Sequence, residues 1–292
     1  MKKLLSHPAA ASGLILIALV TVLALLAPVL PLPDPAATDI MGTYAPPSPA
    51  HLFGTDALGR DVLSRTIWGG RASLMIGLGI VVIGMAVGVT FGLFAAWVAG
   101  TLLEEVAIRV IETFASIPVL IWAIAVVGIV GTGDTHIGPL TVSNEMKLIL
   151  LVGLLFFPGI ARITHGLALA ELQNDYIDAR KLQGATAPAI LFGDVLPNVL
   201  SPLLVQASVL VGIGIIIEAS LSFVGLGVQP PTASWGSMLA DSKQTVFTGE
   251  YWLSLFPGIA IFASVIGFNL LGDALRDFYD PQRRGRGEGA VL

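Results

Sequence analysis

The chain has 292 residues, 55% of them hydrophobic and only 12% charged, with a mean hydropathy of +0.86. Soluble domains carry about a quarter charged residues, and one core of this size cannot hide so much apolar surface; an ordinary cytosolic enzyme, a disordered chain and a fibrous chain are excluded. Cysteine is absent and the net charge is −5, which leaves no disulfide framework, no thiolate metal site and no electrostatic ground for a nucleic-acid partner.

What remains is an all-α integral membrane protein. A bilayer core of roughly 30 Å needs about 20 mostly apolar residues per helix, and lipid satisfies no free backbone groups. Six runs meet that length: Ala9 to Leu30, Ala72 to Ala99, Val110 to Val130, Leu148 to Ala170, Val199 to Ile217 and Trp252 to Leu271. The first follows Met1-Lys2-Lys3 in the manner of a secretory signal, but it exceeds the roughly 7–15 apolar residues of such signals, so a retained helix is expected. With the N-terminus inside, Lys2, Lys3, Arg109, Arg162, Arg180, Lys181, Arg276, Arg283, Arg284 and Arg286 fall on the inner side. Arg60, Arg65, Arg71, Lys147 and Lys243 fall outside. Ten basic residues against five predict an N-in, C-in topology.

The second run carries Gly84, Gly88, Gly92, Ala96 and Gly100 at fourfold spacing. Such a ridge lets another helix approach closely, within the chain or in a neighbouring subunit. No P-loop, G-x-S-x-G elbow or HExxH site occurs, and His7, His51, His136 and His165 are scattered. No enzyme site and no bound cofactor or metal is expected. The ionisable residues of the spans are Glu112, Glu218 and, just past the last, Asp273. Each lies near a helix end, open to an interfacial or packing role in headgroup water or to a place on a substrate path. Trp235 and Trp252 are expected as interfacial anchors.

The longest inner loop, 171–198, reads ELQNDYIDARKLQGATAPAILFGDVLPN. Glu171 to Gln183 is helix-forming, Gly184 is a natural stop, Thr186 and Pro188 suit a new start, and Pro197 is expected to end the second stretch. Ile190, Leu191, Val195 and Leu196 make an apolar stripe, suited to a partner's groove or to the membrane surface.

Asp178-Ala179, Gly184 and Val195-Leu196-Pro197-Asn198 resemble the EAA loop of ABC importer permeases, with Asp178 where Glu is usual and Arg180 where a second Ala is usual. The stretch from His51 to Arg65 is similar to the signature after the first helix in the dipeptide/oligopeptide/nickel permease subfamily. Glu218 to Gly227, Gln229-Pro230-Pro231, Ser234-Trp235-Gly236 and Asn269 to Asp277 with Asp280-Pro281 are similar to later motifs of that subfamily. The resemblance covers about residues 50 to 281 and is greatest to the shorter, C-type permease. It implies six transmembrane helices of the type I importer kind in the bacterial cytoplasmic (inner) membrane. A helix plus extracytoplasmic loop would occupy 1–71, a five-helix core 72–281 and a cytoplasmic tail 282–292. It also implies a second, B-type permease subunit, two cytoplasmic ABC ATPases that hold the ATP and Mg, and an extracytoplasmic solute-binding protein. Asp175, Tyr176, Asp178, Ala179, Gly184, Ala185, Leu196 and Pro197 would form the ATPase-docking surface. Asp56, Arg60, Asp61 and Arg65 are expected to form a charged network that holds the outer loop folded. Di- or oligopeptides are the expected cargo, with nickel chelates or glutathione as alternatives; an ion-coupled secondary transporter, the rival class, would need mid-membrane carboxylates and repeated halves, and neither is visible.

Overall fold

A computed structural model describes residues 8–138, 140–245 and 248–279. Lys2, Lys3, His7, Asp280-Pro281, Arg283, Arg284, Arg286 and the tail 282–292 lie outside the described residues. Helices dominate: α1 (Pro8–Leu26), α2 (Val62–Trp97), α3 (Leu102–Ala115), α4 (Val119–Val130), α5 (Asn144–Leu155), α6 (Phe157–Glu171), α7 (Asp175–Leu182), α8 (Ala189–Phe223), α9 (Trp235–Asp241) and α10 (Trp252–Tyr279). A two-stranded antiparallel ribbon, β1 (Thr135–Ile137) with β2 (Leu140–Val142), joins α4 to α5.

Among the described residues, α2, α8 and α10 are long and apolar enough to cross a membrane. The count rises to five if the bent pairs α3–α4 and α5–α6 each make one span, and α1 is a shorter apolar helix. Helix α2 starts ten residues before the apolar run, because Asp61 accepts the Ser64 N–H at 2.7 Å and caps it. The run expected as one helix from Val110 to Val130 is two helices meeting at 83°. Pro118 has no N–H to offer and pushes Ile117 away from helical angles, and hydropathy is blind to both effects. The orphaned Phe114 carbonyl accepts the Trp122 indole N–H at 3.2 Å. Helices α5 and α6 bend by 43° at Phe156, just ahead of Pro158.

Helix α2 is the central post, with α5, α6 and α8 along it, while α10 packs on α1 and α8. In lipid, helix association rests on close van der Waals contact rather than on a hydrophobic drive. The glycine ridge supplies that contact inside the chain: a Cβ on Gly84, Gly88 or Gly92 would stand 2.6–2.8 Å from Phe156, Ile160 or Thr164 of the α5–α6 pair. Gly100 takes no part, since it turns the chain after α2 at φ +78° with open space around it. Helices α2 and α8 cross where a Cβ on Gly214 would lie 2.9 Å from the Gly77 carbonyl oxygen.

Pro197 does not end the second stretch of the 171–198 loop. Residues Ala189–Val195 form a π-helical turn that runs straight into Leu196–Phe223, giving one helix of 35 residues. The turn is wide enough for the Leu196 N–H to reach back five residues to Leu191, which eases the clash a proline ring makes with the preceding turn.

Candidate coupling loop and outer segment

The bundle has two polar ends. At the end where α2 terminates, α6 leads through a tight turn into α7 and then α8. The α7 helix stops by local chemistry: Gly184 sits at φ +79°, its N–H bonds the Lys181 carbonyl at 2.9 Å, and the Ala185 N–H bonds the Arg180 carbonyl at 3.1 Å. This pair of bonds is the Schellman closure that a left-handed glycine permits.

The apolar stripe of the loop faces inward. Ile190, Leu191 and Val195 are buried with Ile177 of α7 in the main core, which removes them from any partner's groove. The exposed surface is the complementary set: Asp175, Tyr176, Asp178, Ala179, Gly184 and Pro197, with Ala185 and Leu196 partly covered. Leu182, 90% exposed, belongs to the same surface, although the sequence reading does not single it out. Three elements are pinned together beneath this face. Asn198 of α8 donates to Glu171 at the end of α6 at 2.8 Å and to the Tyr176 hydroxyl of α7 at 3.0 Å, and Tyr176 in turn donates to Glu171. Partial burial and the Glu171 carboxylate raise the Tyr176 phenol above its ordinary pKa of 10.0, so it stays a neutral donor. Arg180, one of the two residues that depart from the EAA pattern, has a matching partner in Asp194 at 3.0 Å. Asp178 pairs with Lys181 at 3.0 Å on the open face.

At the opposite end, the segment before α2 folds over the bundle. Asp56 is the hub of the expected charged network: its carboxylate accepts hydrogen bonds from Arg60 Nε at 2.7 Å and from the Leu58 and Arg60 N–H groups, and it forms an ion pair with Arg65 Nε at 3.3 Å. Asp241, from α9, joins both arginines at 3.3 and 3.5 Å. Asp61 stands outside this cluster; it caps α2 and pairs with His51 at 3.0 Å. Trp235 and Trp252 are buried rather than interfacial, and their indole N–H groups donate to the Thr66 and Thr55 carbonyls.

The three candidate pathway carboxylates separate. Glu112 is exposed in the last turn of α3, 3.3 Å from Arg109. Asp273 is exposed within α10, which continues past it to Tyr279. Glu218 reaches no headgroup water: it is 1% exposed, because α9 folds back across the end of α8 and covers it. Among the described residues, no group of three or more His, Asp or Glu side chains is arranged to hold a metal ion.

The profile of the family described as the inner membrane component of binding-protein-dependent transport systems matches residues 88–285, a stretch that includes the π turn, the glycine closure and the buried Glu218. The chain belongs to that family. Its relatives include a di/tripeptide transport system permease protein of Pseudomonas aeruginosa, 37% identical over 94% of this chain and 88% of the relative. A dipeptide transport system permease protein of Alkalihalophilus pseudofirmus is 35% identical over 97% and 89%. A glutathione transport system permease protein of Pectobacterium atrosepticum is 38% identical over 81% and 74%. As a member of the binding-protein-dependent permeases, the chain is a multi-pass membrane component.

Proposed function

We propose that this chain is a translocation subunit of an ATP-driven importer for di- or oligopeptides in the bacterial inner membrane. It pairs with a second permease, docks two cytoplasmic ATPases and receives substrate from an external binding protein. The observation that carries this reading is the 171–198 loop, in which a short helix, a glycine closure and the base of a long helix are tied together under an exposed face. A short rigid helix in a partner's groove acts as a lever, and this one is tied through Tyr176 and Asn198 to the base of α8, so ATPase closure would move a spanning helix with it. The reading places the loop inside and the Asp56 cluster outside, in a six-span N-in, C-in topology, as the basic residues favour. Hydrolysis belongs to the partner subunits, which hold the ATP and Mg; this chain contributes no catalytic residue. The cargo is read from the di/tripeptide and dipeptide relatives, and glutathione, itself a tripeptide, falls in the same chemical class.

The test is purification of the tagged chain from its native membrane in mild detergent, with ATPase activity and uptake of labelled dipeptide into proteoliposomes both assayed. Co-purification of ATPase subunits and a second permease, with uptake that needs ATP and the binding protein, supports the proposal. A chain that purifies alone in several mild detergents, or uptake driven by an ion gradient without ATP, overturns it.

A further inference from the structure

Glu218 carries the only carboxylate among the described residues that is both inside a helix long enough to cross the membrane and fully buried, and a buried intramembrane carboxylate is costly unless it has a task. Its two oxygens are shared between elements. Ser73 Oγ of α2 donates to Oε2 at 2.9 Å, and Ser222 Oγ, one turn further along α8, donates to Oε1 at 2.7 Å. Each hydroxyl has one proton and spends it on the carboxylate, and each then accepts a backbone N–H from the segment that follows α8. Ser73 takes the Trp235 N–H of α9 at 3.2 Å, and Ser222 takes the Val228 N–H at 3.1 Å. The carboxylate thus fastens α2, α8 and the 225–241 segment at one point. The far end of α9 carries Asp241, which binds the arginines of the outer segment.

The other end of α8 is the coupling loop. From Ala189 to Glu218 the helix is unbroken, a rod of about 44 Å at 1.5 Å per residue. We infer that Glu218 is the positioning residue through which displacement of the 171–198 loop reaches the outer face that meets the binding protein. The inference rests on the importer reading above. Side-chain networks with all donors and acceptors used are stiff, so motion of α8 moves α9 with it instead of sliding beneath it.

The experiment compares Glu218→Gln with wild type in the purified complex, measuring ATP hydrolysis without and with peptide-loaded binding protein. The amide replaces one acceptor oxygen with a donor, so one serine hydroxyl loses the acceptor for its proton. Basal hydrolysis is expected to persist while stimulation by the binding protein falls about two- to thirtyfold, the range over which residues along a coupling network act. Stimulation equal to wild type in an assembled Glu218→Gln complex overturns the inference. If Glu218→Gln fails to assemble, Ser73→Ala decides, since it removes one donor and no charge. Reduced stimulation with intact basal activity supports the inference; unchanged stimulation, or failed assembly here too, assigns the cluster to folding alone and overturns it. A wild-type complex that shows no binding-protein stimulation would instead count against the importer reading.

Discussion

A methyl group placed on Gly88 would stand 2.7 Å from Ile160 Cβ, closer than folded proteins allow, so α2 and α6 meet there at the distance of bare backbone. Gly88→Val should therefore force the two helices apart and destabilise the chain by about 1–3 kcal/mol. Gly128→Ala, at a helical glycine with open space around it, should be neutral or stabilising by up to about 1 kcal/mol. Thermal unfolding of the purified chain in detergent separates the two, and equal unfolding midpoints would refute the packing account.

Gly184 presents the opposite case: space is open around it and only its backbone angle excludes a side chain. Gly184→Val should cost about 1–2 kcal/mol of local strain, leaving membrane insertion intact while uncoupling ATP hydrolysis from uptake. Gly184→Asn should be milder, since asparagine tolerates the left-handed region. Normal uptake by the valine variant would show that the glycine closure does not position the docking face.

Arg65 is almost fully buried and leans on Asp56, itself 6% exposed. Asp56→Ala leaves that guanidinium without its main partner, and removing one member of a buried pair costs about 3–5 kcal/mol. Glu112→Gln breaks the exposed pair with Arg109 and should cost less than about 1 kcal/mol. Limited proteolysis between residues 31 and 61 should accelerate strongly in the first variant and not in the second. Similar cleavage in both would mean that the Asp56 hub does not hold the outer segment down.

The break between α3 and α4 leaves residues 112–118 exposed one after another, with polar Glu112, Thr113 and Ser116 among them. Irregular backbone at membrane depth persists only in protein or along water, so this bend should face the aqueous path. Because the chain has no native cysteine, single cysteines at Thr113 and Ser116 can be labelled without background by a membrane-impermeant maleimide. They should react at least about tenfold faster than a cysteine at Ile129, an exposed apolar position of the kind that faces lipid. Equal rates would bury the bend against the partner subunit instead.

What the chain reveals on its own is what local chemistry decides. The closure at Gly184 and the pairing of Arg60 with Asp56 four residues away follow from short-range rules, and both are present. The family was legible because its motifs are contiguous. What was not legible depends on distant residues: Asp241 completes a cluster that starts at Asp56, and Glu218 looks like a helix-end carboxylate until α9 is laid over it. Two prolines show the limit of a local rule. Pro118 breaks an apolar run that hydropathy reads as continuous, whereas Pro197 sits inside a helix because a wide turn absorbs it.

The break at Pro118 also bears on how the chain is built into the bilayer. Helix α4 has only 12 residues, a length of about 18 Å against a hydrocarbon core of roughly 30 Å. Apolar as it is, α4 falls short of a span, and no tilt can lengthen it. At depth it therefore depends on company: on α3, with which it makes one bent span, and on α5 and α8 packed beside it.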